Sequence, residues 1–368
     1  MSTLSTFLDR RCSLAANAVE PGMSRRRRPG AGRALGAALR GVVVVLACVV
    51  ASSVHAAKLP RLVLAGPPAS VSDALVHMVD SGALADVADE VEFLPWRDPD
   101  HLRAIALGKQ ADVLAMPVNV AANLYNRGVE LELVNVSTWG ILWVVTRDAG
   151  VHTLADLRGK EVAMPFRGDM PDLLFGVIAE REGITPGKDI KLRYVASPID
   201  AMQLLVMRQV DHALLAEPAV SMALRKTGSF PLSVVAPTLF RGVDMQAEWG
   251  RAFQRAPRIP QAGIVVMGAL RNDPKLVARI AQEYARSLAA CRANPAPCGE
   301  AVAKRMPMIS AEAAADAIRA SPLEAVPAAT ARPELEFLFK LLLERSPGLV
   351  GGKLPGDAFY WRAPQASR

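Results

Sequence analysis

The chain is poor in the residues from which catalytic centres are usually assembled. Its 368 residues hold four cysteines and five histidines, and aromatic side chains make up only 5%. His77, His101, His152 and His212 fall on different predicted elements, with no second ligand at fixed spacing, so no metal site is expected. A Gly-x-Ser-x-Gly elbow, a His-Glu-x-x-His helix, a phosphate loop and a Gly-x-Gly-x-x-Gly turn are all missing, and no cofactor is implied. Long apolar runs are missing too. The run after Arg40 is about ten residues, whereas a membrane-spanning helix needs roughly 20.

That short run belongs to a segment unlike the rest. Residues 1–56 carry Arg25 to Arg28 and Arg33, then Leu35 to Val50, then small residues with Val54 and Ala56 suited to cleavage, which reads as an export signal peptide. Met23 is an alternative start to Met1. Val45-Leu46-Ala47-Cys48 is a poor lipobox, and Ser24-Arg25-Arg26 is a poor twin-arginine signal. The segment's eight arginines face only Asp9 and Glu20, so six of the seven net positive charges lie in it. The remaining 312 residues are close to neutral, which removes the footprint expected of a nucleic-acid binder.

The most informative stretch is 153–183, TLADLRGKEVAMPFRGDMPDLLFGVIAEREG. The apolar Val162-Ala163-Met164 predicts a strand, Pro165-Phe166-Arg167-Gly168 a turn, and Asp169 the N-cap of a helix with Asp172 at N3. Free N–H groups and the helix dipole make such a turn a seat for a small anion or polar group.

Together with the ADVLAMP strand, the DHALLAEPAV segment and the NDPKLVARIAQEYARSLAACRANP helix, it resembles the nitrate/sulfonate/taurine-type substrate-binding proteins of bacterial ABC importers. The resemblance runs from about Leu59 to about Tyr360. It implies an α/β chain with a two-lobed type II periplasmic-binding fold, each lobe a mainly parallel sheet flanked by helices, and a ligand cleft between the lobes. It also implies a periplasmic monomer, and as partners a small-molecule ligand and the inner-membrane permease and ATPase subunits.

The order of elements agrees. Strands at 61–66, 91–94, 111–116, 131–136 and 141–146 alternate with helices opened by Ser70, Asp98-Pro99 and Pro117-Val118-Asn119. A second set follows: 190–195, a helix capped by Ser197 with Pro198, 211–216, a helix from Glu217-Pro218 to Gly228, and 232–236. The expected division is 57–140 for the first part of lobe 1, 141–240 for lobe 2, 241–350 for the return to lobe 1, and 351–368 for a tail. Phe359-Tyr360-Trp361 should pack that tail rather than leave it loose.

Five turns lie at carboxyl ends of strands, where open α/β sheets bind ligands: Pro67 to Ser70 (with Pro68), Pro117 to Asn119, Pro165 to Asp169 (with Phe166, Arg167 and Gly168), Ala196 to Pro198 (with Ser197), and Glu217-Pro218. Trp96 and Trp139 are the cleft aromatics. Each has a plainer reading as well: the turn residues as caps, the tryptophans as core, Arg167 as a solvated surface cation, Glu217 as a carboxylate favoured by a helix N-terminus.

Arg167 is the foremost candidate for a sulfonate or carboxylate. Cys291 and Cys298, with two prolines between them, read as a disulfide in an exported chain, contributing about 2 kcal/mol by loop entropy. Few cationic or hydroxyl donors at the turns argue for an organic ligand with an apolar or planar body and one polar or anionic end. Two other classes stay open. A periplasmic sensor would present its closed form to a receptor, and an enzyme related to the pyrimidine synthase of yeast thiamine synthesis would bring a cysteine cluster that this chain lacks.

Overall fold

The computed structural model describes residues 58–228 and 238–363. The predicted signal peptide, the predicted strand at 232–236 and the last residues of the tail lie outside these.

The first half opens with β1 (Leu59–Gly66), α1 (Asp73–Asp80), β2 (Ala88–Pro95), α2 (Pro99–Leu107), β3 (Val113–Pro117) and α3 (Val118–Asn126). The short β4 (Leu131–Leu133), β5 (Asn135–Thr138) and β6 (Leu142–Thr146) follow without a helix between them. Next come β7 (Glu161–Pro165), α4 (Met170–Arg181), β8 (Lys191–Val195), α5 (Pro198–Val206), β9 (His212–Ala216), α6 (Ala219–Gly228), β10 (Phe240–Asp244) and α7 (Met245–Phe253). The chain continues through β11 (Ala262–Met267), α8 (Pro274–Ala293), α9 (Pro295–Arg305), α10 (Ala311–Ala320), β12 (Leu323–Pro327) and α11 (Ala328–Arg345).

These strands form two sheets. The first has the order β12-β5-β11-β3-β1-β2, with β4 also on β11, and the second β10-β6-β9-β7-β8. In each sheet three consecutive strands are parallel, β2-β1-β3 and β8-β7-β9, and the strands beyond them run antiparallel. Four of the antiparallel strands flank the two places where the chain changes sheet, between β5 and β6 and between β10 and β11.

Why β1 sits inside follows from its sequence. Leu62 and Leu64 pack with Leu75, Met78 and Ile280 on one side, while Val63 and Ala65 pack with Leu102 and Ile105 on the other. A strand apolar on both faces is the signature of a parallel sheet covered by helices twice. The tail closes this core: Phe359, Tyr360 and Trp361 are buried, and the Trp361 N–H donates to the Leu133 carbonyl at 2.9 Å.

Several helix starts match their sequence signals. The Asp98 carboxylate accepts from the His101 N–H at 2.8 Å, with Pro99 in the first turn, and the Ser197 hydroxyl accepts from the Asp200 N–H at 3.2 Å. Ser70 does not cap. It opens a short 3-10 turn, Ser70–Ser72, and its hydroxyl is buried without a partner. Asn119 also lies inside its helix rather than at the cap, because Pro117 already provides the break.

Candidate functional site

A cavity of about 660 Å³ lies where the carboxyl ends of the parallel strands of both sheets face each other. Pro67 to Ala69 reach it after β1, Trp96 to Asp98 after β2 and Pro117 after β3. From the other sheet come Phe166 and Asp169 after β7, Ala196 to Ile199 after β8 and Glu217 after β9. Ile141 and Gln261 contribute from the two crossings, and the loop Arg305 to Met308, between α9 and α10, makes a further wall. The lining is mainly apolar, with proline, methionine, isoleucine, leucine, tryptophan and phenylalanine side chains.

Local structure aims these groups. Trp96 is held by its indole N–H, which donates to the Ala115 carbonyl at 3.0 Å. Phe166 adopts φ 56°, a left-handed conformation uncommon for an aromatic residue, and the Asp169 N–H closes the turn on the Phe166 carbonyl at 2.9 Å. The acids are each engaged. Asp169 pairs with Arg103 of α2 at 3.1 Å, across from the first-sheet lobe. Burial pushes its carboxyl up from the usual range, and Arg103 opposes that shift. Glu217, whose side chain is fully buried, accepts from Arg241 at 2.6 Å and from the Ser221 N–H at 3.1 Å. Its carboxylate therefore anchors the start of α6 and holds β10 against it.

The two crossings are stitched to each other. The Ile259 N–H donates to the Trp139 carbonyl at 2.9 Å, the Gln261 N–H to Thr138 at 3.0 Å, and the Gln261 side chain accepts from the Ile141 N–H at 2.7 Å. Gln246 accepts from the Leu142 N–H at 3.3 Å. In a two-lobed chain, a hinge between the lobes would have its backbone angles at crossings of this kind.

Of the residues singled out from sequence, Pro68, Trp96, Phe166, Asp169, Ser197 and Glu217 line the cavity. Ser70 and Asn119 do not; both are buried in the first-sheet lobe, beside wall residues Ala69 and Pro117. Arg167 and Gly168 are exposed outside it, the Arg167 guanidinium standing 4.8 Å over the Tyr194 ring. Trp139 is a strut instead of a cleft aromatic. It is 2% exposed, its indole N–H donates to the Glu324 carbonyl at 2.9 Å, and Arg258 covers its face at 3.7 Å. Arg103, Gln261, Arg305 and Met306 carry no local sequence signal, since only the packing of distant elements brings them to the site.

Among the described residues no helix is long and apolar enough to cross a membrane, and no group of three or more metal-ligating side chains gathers. Cys291 and Cys298, at the junction of α8 and α9, are joined as a disulfide with their Cα atoms 5.4 Å apart.

No family model and no curated protein matches the chain. Solved structures do. An ABC transporter structure from Parabacteroides distasonis is 21% identical and superposes with a TM-score of 0.67 over 83% of this chain and 100% of its own. The periplasmic aliphatic sulphonate binding protein SsuA from Escherichia coli is 16% identical, with a TM-score of 0.62 over 84% and 95%. The periplasmic nitrate-binding protein NrtA from Synechocystis PCC 6803 is 15% identical, with a TM-score of 0.55 over 70% and 69%. The second and third of these are named as binding proteins, for aliphatic sulphonate and for nitrate.

Proposed function

We propose, from the premise that this chain has the two-lobed type II periplasmic-binding fold of ABC-importer solute-binding proteins, that it captures a small organic solute in the cavity between its lobes. The lobes close on that solute, and the closed form hands it to a membrane permease after export of the chain to the periplasm. The observation that carries the reading is the cavity of about 660 Å³ at the facing strand ends, walled mainly by apolar side chains. Space of this size exceeds what a nitrate or bicarbonate ion fills, and the mainly apolar lining sets few donors, Arg97 and Arg305 among them, around any one point in it. The volume and the apolar lining suit an apolar or planar body with one polar or anionic end.

A thermal-shift panel of sulfonates, carboxylates and heterocycles tests this, with nitrate and bicarbonate alongside. A ligand at 100 times its dissociation constant adds about 2.7 kcal/mol of stability, several degrees in a domain of this size. Stabilisation by organic members alone is the expected result. Stabilisation by nitrate or bicarbonate alone would overturn the organic-ligand assignment, and a uniformly flat panel would leave the solute-binding reading without support.

A further inference from the structure

The charges on the cavity wall do not balance, and the imbalance sits at a residue outside the strand-end turns. Each acid of the wall is already engaged. Asp98 caps α2 by accepting from the His101 N–H, Asp169 is paired with Arg103, and Glu217 with Arg241. The cations of the wall are Arg97, which is exposed, and Arg305, at the last turn of α9. Arg305 is different in kind. Its side chain is 31% exposed, and its Nε is closed off from water with no hydrogen-bond partner. Its guanidinium stands 3.9 Å from the Asp80 carboxylate, which Lys304 reaches more closely, at 3.4 Å. One carboxylate therefore serves two cations, and the Arg305 charge at the cavity wall is only partly matched. A guanidinium in that position is completed by an anionic group arriving in the cavity. The helix dipole accounts for a cation at the end of α9, and the exposed Lys304 meets that need, but it does not account for a second cation, Arg305, set on the cavity wall.

The residues that follow continue the wall in another character. Met306 is buried, Met308 is half exposed, and both line the cavity. The loop is firmly seated. Cys298 ties the start of α9 to α8, and Gly299 lets α9 approach α10 so closely that a Cβ there would lie 2.2 Å from the Ala311 carbonyl oxygen. We infer that Arg305 to Met308 is the specificity wall of the cavity, with Arg305 reading the sulfonate or carboxylate end of the solute and the two thioethers packing on its apolar body. This rests on the solute-binding reading and assigns to Arg305 the role that sequence reasoning gave to Arg167. A guanidinium is suited to it, since its fork matches a planar or tetrahedral oxyanion in two bonds at once.

Calorimetric titration with matched probes tests the assignment: naphthalene-2-sulfonate and 2-naphthoate against the uncharged naphthalene-2-sulfonamide and 2-naphthamide. The wild type should bind the anions at least about tenfold more tightly than the amides. Arg305→Gln should lose at least about tenfold in affinity for the anions and keep its affinity for the amides, which also shows that the variant is folded. Arg305→Lys should fall between, and Arg167→Gln should stay within about twofold of wild type. Anion binding unchanged in Arg305→Gln overturns the inference, as does a wild type that binds anions and amides equally, and in both cases the cavity reading stands. If no member of either pair binds the wild type, both fall.

Discussion

Arg103 on α2 and Asp169 at the start of α4 form an ion pair across the cleft, Nη2 to Oδ1 at 3.1 Å, joining a helix of the first-sheet lobe to a helix of the second. Asp169, the less exposed partner at 13%, is itself part of the cavity wall. Under the proposed closure such a pair is a latch, because opening the lobes would separate its members and return both to water. Its contribution is modest, since the Arg103 side chain is 42% exposed and screened.

The first prediction follows from that geometry. Arg103→Ala should weaken binding of any cavity ligand by about twofold to fivefold, mainly through faster release, with little effect on the melting temperature of the ligand-free protein. Stopped-flow displacement of a bound probe reads the release rate directly. A release rate equal to wild type would show that the pair takes no part in holding the lobes together.

Much of the site's framework was legible in the sequence, because it is made by local chemistry. Asp98-Pro99 and Ser197-Pro198 announce their helices through an N-cap and a proline in the first turn, and the structure caps both helices as expected. The hydrophobic run of β1 announces a strand covered on both faces. The strands β10 and β12 carry no local signal, because Phe-Arg-Gly-Val-Asp and Leu-Glu-Ala-Val-Pro lack both an apolar run and clear alternation; they are strands because β6 and β5 pair with them. Arg103 and Arg305 were invisible for a related reason. Each lies on an ordinary helix, and only the approach of a distant element gives its charge a task. Trp139 shows the converse, a large aromatic at a crossing whose indole N–H and ring face are both used by the framework.

A second prediction concerns pH. Glu182, at the end of α4, meets the buried Glu248 of α7, which is ion-paired with Arg251. Burial first, then the hydrogen bond and charge of Glu248, raise the Glu182 carboxyl from 4.5 to about 7. A carboxyl raised in the folded state contributes stability that is complete below its unfolded value and is lost as pH rises through the folded one. The melting temperature should therefore decline between pH 4.5 and about 7 by more in wild type than in Glu182→Gln. Parallel pH profiles for the two proteins would refute the raised Glu182 carboxyl.

The disulfide gives a third. Thiol-specific labelling of the folded protein lacking residues 1–56 should give no signal, and reduction under denaturing conditions should release two thiols, Cys291 and Cys298. Closing so short a loop is worth about 2 kcal/mol, so the Cys291→Ser, Cys298→Ser double variant should remain folded with a melting temperature a few degrees lower. Two reactive thiols in non-reduced protein purified from the periplasm would rule the bridge out.

The last prediction tests the strap between the lobes. Gly140 stands between β5 and β6 with φ +136°, a backbone region that side-chain-bearing residues rarely enter, and a Cβ placed there would lie 2.1 Å from the Gln246 Cγ. Gln246 cannot give way freely, since its Oε1 accepts from the Leu142 N–H and its Nε2 donates to Asp244 at 2.8 Å. Gly140→Ala thus combines backbone strain with a displaced, hydrogen-bonded neighbour, and should cost about 2 to 4 kcal/mol, well above the effect of an alanine in ordinary surroundings. Small-angle scattering separates the two roles of the position. Saturating probe should shrink the radius of gyration of the wild type, as closure about the two crossings requires, and should shrink that of the variant less. If the wild-type radius stays the same on saturation, the hinge is wrong whatever the variant does. If the variant melts with the wild type, the close approach of Gly140 to Gln246 is not a constraint on this crossing.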